Sequence, residues 1–514
     1  MTSILSPLAT LEPRLRTLLP ADLYALAWVD PSPATLTKVF EHLRTLRRIL
    51  YDYMPRILSD ELPRPGEETY GWQEGTLIFT DLAGFTPLLE ANAINGKAGA
   101  RTLLEVLNDY FAEMIRIISK SGGNLLEFTG DAMLAQFPRD RRGNETAQAV
   151  RAGLRMQRAM ERFANIETDQ GTYSLGMRIG MHTGRYLAAN IGTPRRMEHV
   201  LLGGTVQRTK RAEGAGRVGC VSLSPEAHER VKGEFRFEQI ADDHFYVIDD
   251  LLAHDLGEYD LTTGSRRQAG SVLMDRSLEG ILASIEEMMA MVEPLASYLP
   301  QPVLDLLVEH AADRQIPPDF PQPTIVFVML RGLPEAVDSL YAGEEVQLVG
   351  GLSHLFALIN AAVEARGGVL KKVTCHLSGS DMMIYFGVPN AHTNDAERAA
   401  GAAFAIREII RNFAAPVVGG IQTEVACQIG LARGSVFAAE IGEPRGRREF
   451  NILGDTVNTA ARLMAKAERD QILLTEAVYE EIEREFECKY LGLMSFKGKS
   501  LKMPIHALHS PRAD

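Results

Sequence analysis

Two aspartates open the chemistry of this sequence. Asp81 ends a short apolar run, Thr76-Leu-Ile-Phe-Thr80, that reads as a buried strand. Asp131 sits in a Gly130-Asp131 turn between two further apolar runs, Leu125–Phe128 and Ala132–Phe137, which read as a hairpin. Two carboxylates on neighbouring strands, completed by waters and phosphates, are how magnesium is usually held. Either aspartate alone is more often a solvated turn residue, so the pair carries the weight. After Asp81, Leu-Ala-Gly84-Phe85-Thr86 leads into a helical pattern, and backbone N–H groups of such a loop form a phosphate cradle. Far along the chain, Asn458 and Arg462 stand four apart and share one helix face. A planar amide beside a guanidinium suits reading a base or ribose and clamping a phosphoryl group.

The elements that must position these residues occur twice. Residues 72–236 and 320–485 repeat one another in order and spacing. Phe79-Thr-Asp-Leu-Ala-Gly84 answers Phe327-Val-Met-Leu-Arg-Gly332, and Gly130-Asp-Ala-Met-Leu-Ala-Gln-Phe137 answers Gly379-Ser-Asp-Met-Met-Ile-Tyr-Phe386. Arg178-Ile-Gly answers Gln428-Ile-Gly, and Glu198 to Gly203 answers Glu449 to Gly454. Even the lead-ins match, Tyr53-Met-Pro55 and Tyr298-Leu-Pro300. Within a copy the order is β-α-β-β-α-β with additions. Helices are expected over 87–120, interrupted near Gly96, and over 145–165, and two strands over 174–191 broken at Thr183-Gly184. This order predicts a ferredoxin-like α+β core. The domains are then a helical segment 1–70 cut short by prolines, a first copy 71–253, a linker 254–319 with a helix at 278–297, and a second copy 320–514.

Composition narrows the function. Lysine and arginine total 54 against 67 acidic residues, a net charge of −13, which argues against wrapping nucleic acid. Hydrophobic content of 46% supplies more than one core. Four cysteines, none in a CxxC pair, fit a reducing, cytoplasmic compartment and no thiolate zinc site. The N-terminus lacks signal-peptide character, and no unbroken apolar run long enough for a membrane span is read. His182, Met288, Met289 and Met291 read as packing residues, and Arg445, Arg447 and Arg448 as a solvated loop.

FTDLAGFT, GGNLLEFTGDAMLAQF, MRIGMHTG and ILGDTVNTAARL together resemble the signatures of class III nucleotidyl cyclases. The tandem arrangement is similar to the catalytic part of soluble, bicarbonate-responsive adenylyl cyclases. The resemblance implies a head-to-tail, pseudo-two-fold pairing of the copies within one chain, with no homodimer required and nucleotide sites at the interface. It implies ATP as substrate and two Mg²⁺ or Mn²⁺ ions held by Asp81 and Asp131. Arg185 falls on a phosphate-contacting arginine, Lys372 on an adenine-contacting lysine, and Asn451 on the residue that reads the adenine amino edge. Asn458 and Arg462 take the transition-state role, and Lys499 or Lys497 reaches the phosphates. The opposite site has Met329 and Ser380 in place of carboxylates, facing Glu127, Val200, Gln207 and Arg211. It is left to an effector or to nothing, and Glu127 stands where bicarbonate-responsive relatives carry a lysine. A guanylyl cyclase, which would prefer an acidic residue at Lys372, and a non-catalytic nucleotide-sensing module are the rival readings.

Overall fold

The structure is a computed structural model that describes residues 2–512, except 60–61, 241–242, 250–255, 257–274, 276, 378, 444–445 and 497–500. Nearly all of the stretch of the expected linker 254–319 before its helix therefore lies outside the described residues.

Three N-terminal helices, α1 (Thr2–Leu15), α2 (Ala21–Val29) and α3 (Pro33–Tyr53), come first. The prolines start helices more than they break them: Pro33 sits in the first turn of α3, where its missing N–H costs nothing, and Ser32 caps the turn. The first copy follows as β1 (Thr69–Ala83), α4 (Phe85–Ala93), α5 (Gly96–Lys120), β2 (Asn124–Thr129), β3 (Ala132–Pro138), α6 (Glu145–Ala159), β4 (Gly176–Thr193), β5 (Arg196–Leu202) and α7 (Gly204–Gly214). Linker helices α8 (Leu278–Ala296) and α9 (Gln301–Glu309) lead to the second copy. That copy runs β6 (Thr324–Arg331), α10 (Glu345–Glu364), β7 (Val369–His376), β8 (Gly379–Phe386), α11 (Asp395–Arg411), β9 (Ala426–Arg433), β10 (Phe437–Gly442), β11 (Arg448–Leu453) and α12 (Asp455–Lys466).

The two sheets have matching cores. The first is ordered β2-β3-β1-β4 and continues through Val221–Leu223; the second is ordered β7-β8-β6-β9 and continues through Gln471–Thr475. β1 is thus central with the hairpin beside it. Strand alternation sorts its side chains: Ile78 and Leu82 pack under α5 and α6, while Leu77 and Phe79 join Tyr186, Leu201 and Val206 on the other face. Asp81 shares the parity of Leu77 and Phe79, so it points to the face of α7 and of the opposite copy. One expectation fails: β4 does not break at Thr183-Gly184. β1 is long enough to pair with it from Ala83↔Gly176 to Thr69↔Asn190, and Gly184 meets Gly75 mid-ladder. A Cβ on Gly184 would lie 2.6 Å from Thr205 Oγ1, so the glycine admits a close helix rather than a turn. The break does occur in the second copy, between β9 and β10.

The copies exchange arms. The β10–β11 ribbon places Phe437, Ala439, Ile441 and Leu453 in the first copy's core, and the end of β4 with β5 places Leu187, Ile191, Val200 and Leu202 in the second's. Each fully buried aliphatic or aromatic side chain contributes about 1.5–3 kcal/mol, so the exchange ties the halves firmly. Paired polar contacts repeat the symmetry: Asn108 of α5 accepts the Gly442 N–H at 3.1 Å, and Ser353 of α10 accepts the Gly192 N–H at 3.0 Å. α3 and α8 pack together and cover the second copy's ribbon, with Arg14 bound to Glu293 at 2.6 Å and Tyr53 Oη donating to buried Glu440 at 2.9 Å. α10 is long and apolar enough to cross a membrane by length and composition, a helix the sequence reading did not flag. Its Leu352, Leu355, Phe356 and Ile359 are buried in the second core.

Candidate active site between the two copies

Asp81 faces Arg178 directly across the β1–β4 ladder, and the two side chains form an ion pair. Arg178 also reaches Glu213 of α7 at 2.9 Å. Asp131 follows Gly130, whose φ of +66° makes the tight turn. Burial, then the nearby charge of Asp81, pushes the Asp131 carboxyl up to about 7. Two carboxylates that repel each other at the mouth of a hairpin are a donor set suited to a divalent cation. No group of three or more His, Cys, Asp or Glu side chains placed to hold a metal occurs among the described residues, so waters and phosphates would complete the shell. Gly84, at φ +87°, begins α4, and a Cβ there would strike the Ser174 carbonyl at 2.2 Å. Only glycine allows Phe85 and Thr86 to start the helix beside Asp81.

The second copy supplies the facing wall. Asn451 of β11 donates from Nδ2 to the carbonyl of Gly130 at 2.9 Å, beside Asp131. Leu453 packs into the first core, and a Cβ on Gly454 would lie 3.7 Å from Leu89 of α4. α12 starts there, with Asn458 exposed and Arg462 half-buried one turn on. Arg462 Nη1 is buried without a hydrogen-bond partner. A buried, unpaired guanidinium nitrogen is costly and is what an absent anionic ligand leaves behind.

Lys372 donates to the Phe128 carbonyl at 3.4 Å and lies 3.6 Å from Glu449 and 3.8 Å from Glu127. Lys371 reaches Glu449 at 3.3 Å and Asn451 Oδ1. Opposite charges hold the Glu449 carboxyl down at about 2 despite its burial. A cavity of about 70 Å³ lies here, lined by Glu127, Lys371, Lys372 and Glu449 and by the Tyr53 and Tyr298 lead-ins.

Two arginine placements bear on the reading of the sequence. Arg185 lies opposite Glu74, midway along the ladder, roughly 20 Å from Asp81 at 3.3 Å per residue. Its guanidinium stacks over Trp72 at 4.8 Å. The arginine beside the carboxylate is Arg178, which sequence reasoning missed; it is present in MRIGMHTG, but its place opposite Asp81 is a matter of strand register. Arg447 and Arg448 are not a solvated loop: Arg447 is half-buried and paired with Glu449 at 3.4 Å, and Arg448 is buried and paired with Glu440 at 3.3 Å. Lys497, Lys499 and Arg445 lie outside the described residues.

The opposite site is shut. Met329 and Ser380 are each 1% exposed. The α7 N-terminus, its N–H groups free for a phosphate in principle, is taken by Asp338, whose oxygens accept the Gly204 N–H at 2.9 and 3.1 Å. Val200 is buried, Gln207 half-buried and Arg211 exposed. Glu127 turns to Lys372 of the other copy.

The family described as adenylate and guanylate cyclase catalytic domain matches the chain twice, over residues 68–249 and 319–510. The chain belongs to this family. Its likeness to adenylate cyclase type 10 of Oryctolagus cuniculus is 24% identity over 412 residues, 78% of this chain and 24% of that protein. It therefore spans about a quarter of the length of that relative. A receptor-type guanylate cyclase of Caenorhabditis elegans is 28% identical over 212 residues, 40% of this chain and 20% of its own length. Among solved structures, a class III adenylyl cyclase-like ATP-binding protein from Pseudomonas aeruginosa is similar in fold at TM-score 0.56 and 15% identity, over 86% of this chain and 92% of that one.

Proposed function

We propose that the protein is an adenylyl cyclase that converts ATP to 3′,5′-cyclic AMP and pyrophosphate at one site per chain. The observation that carries this is complementarity across the interface. The carboxylates stand on the first copy, and Arg462, with one buried unpaired nitrogen, stands on the helix that follows the second copy's strand whose Asn451 meets their turn. The type 10 relatives are named as adenylate cyclases, which supports the same reading.

Asp81 and Asp131 would hold two Mg²⁺ or Mn²⁺ ions, which when bound acidify the ribose 3′-hydroxyl and neutralise the triphosphate. The chain's own groups do the rest. Arg462 stabilises charge that builds on the α-phosphoryl oxygens as the 3′-oxygen bonds to phosphorus and pyrophosphate departs. Asn458, one turn before it, orients the ribose. Lys372 donates to adenine N1, an acceptor, where guanine presents a donor. Gly84, Phe85 and Thr86 offer backbone N–H groups to the phosphates. Arg178 holds the Asp81 carboxylate toward the interface. Cys220, Cys427 and Cys488 are free thiols, which fits a cytoplasmic setting. The second reading, a nucleotide-binding module without turnover, draws on the engagement of Asp81 by Arg178 and of Lys372 by two glutamates.

Cyclase assays with ATP and GTP, in Mg²⁺ and in Mn²⁺, decide between them. Cyclic AMP from the wild-type chain, lost in Asp81→Ala and in Asp131→Ala at unchanged melting temperature, is expected. Nucleotide binding without product in any condition would establish the module instead.

A further inference from the structure

Consecutive residues of a regular strand point to opposite faces, so Lys371 and Lys372 should not share a site. In β7 the register against β8 shifts between Leu370 and Lys372. This bulge turns both lysines toward the interface, where both reach Glu449. Lys372 accounts for the base-reading position, and nothing above gives Lys371 a task.

Its contacts give it one. Lys371 Nζ donates to Asn451 Oδ1. The same oxygen accepts the Ile452 backbone N–H at 3.0 Å, while Nδ2 donates to the Gly130 carbonyl at 2.9 Å. An ammonium and a backbone N–H can only donate, and a carbonyl can only accept, so the carboxamide has a single orientation. Its oxygen has both lone pairs engaged. What Asn451 keeps for a ligand is one N–H.

We propose that Lys371 is a positioning residue that sets base specificity by locking Asn451 as a hydrogen-bond donor; this rests on the cyclase reading of the site. Adenine presents an amino donor at the position where guanine presents the O6 acceptor. A donor-only Asn451 opposes the adenine amino group and accommodates guanine O6. Lys372 pulls the other way, toward adenine N1. Each purine therefore meets one matched and one mismatched group, and the wild-type preference for ATP is held low. Removing the ammonium frees one lone pair of Oδ1 to accept the adenine amino group.

The test compares kcat/KM for ATP and GTP in the full chain and its variants. Lys371→Met, which keeps the apolar stem without the charge, is expected to raise the ATP:GTP ratio about tenfold. Lys371→Arg, which keeps the donor, is expected to hold the wild-type ratio. In an Asn451→Ala background, Lys371→Met is expected to change the ratio no further, because the effect runs through that amide. A merely structural lysine would lower both nucleotides alike. An unmoved ratio in a folded Lys371→Met, or a shift that persists without Asn451, overturns the assignment. Should Lys371→Met fail to fold, Asn451→Asp places an acceptor there with Lys371 intact, and no rise in the ATP:GTP ratio overturns it equally. A wild-type chain with no turnover refutes the cyclase reading and moves the comparison to dissociation constants of ATP and GTP. There the same tenfold shift is expected, and its absence overturns the role of Lys371.

Discussion

Arg462 and Arg211 occupy matching places on α12 and α7, yet their surroundings differ in the way that decides chemistry. Arg462 has a buried nitrogen with no partner and follows the strand whose Asn451 meets the Gly130 turn; Arg211 is exposed, and the second copy has Met329 and Ser380 where the first has carboxylates. Arg462→Ala is expected to lower kcat by at least a hundredfold, the scale of losing a charge-stabilising donor, while Arg211→Ala stays near wild type. Equal losses in steady-state assays would show that both sites work. Glu127 makes a second residue-scale argument. It sits 3.8 Å from Lys372 across the interface, not on Arg211, so bicarbonate entering there would meet a carboxylate whose cation is already shared. Bicarbonate at fixed pH is expected to leave the rate unchanged, and a several-fold rise would contradict the placement.

At the scale of the element, β4 carries two basic residues held in different ways. Arg178 at its start serves Asp81, whereas His182, four residues on, is 1% exposed and bound to Ser224 Oγ at 2.8 Å. Burial lowers the His182 pKa to about 4. The folded chain therefore leaves this imidazole neutral where the unfolded chain, with a pKa near 6.5, takes a proton. Stability is lost as pH falls from about 6.5 to about 4, by on the order of 2–3 kcal/mol. Glu198, pushed up to about 7 by burial, acts in the opposite sense over an overlapping range. The difference between wild type and His182→Gln isolates the histidine: the variant's melting temperature is expected to fall less steeply over that window. Parallel profiles would mean that His182 is not held neutral.

For the whole molecule, the exchanged β10–β11 and β4–β5 arms and the bracing of α3 against α8 bind the two copies within one chain. Mixing an Asp81→Ala chain with an Arg462→Ala chain is then expected to restore no activity, since neither can lend its intact half to the other. Recovery toward a quarter of wild-type activity, the share of exchanged pairings that rebuild a site, would show pairing between chains.

The tandem repeat, the β-α-β-β-α-β order and the asymmetric retention of Asp81, Asp131, Asn458 and Arg462 were all legible in the residues. Repetition and motif spacing are linear properties, and a lost carboxylate at Met329 or Ser380 is visible letter by letter. Register is not linear. Which arginine meets Asp81 is set by how β1 and β4 pair, and that register falls on Arg178. The burial of Arg448 depended on helices from the other end of the chain covering the ribbon. The joint arrival of Lys371 and Lys372 on one face depended on a one-residue bulge that no side-chain pattern announces. Those facts follow from hydrogen-bond pairing and packing between distant segments, and only the tertiary structure decided them.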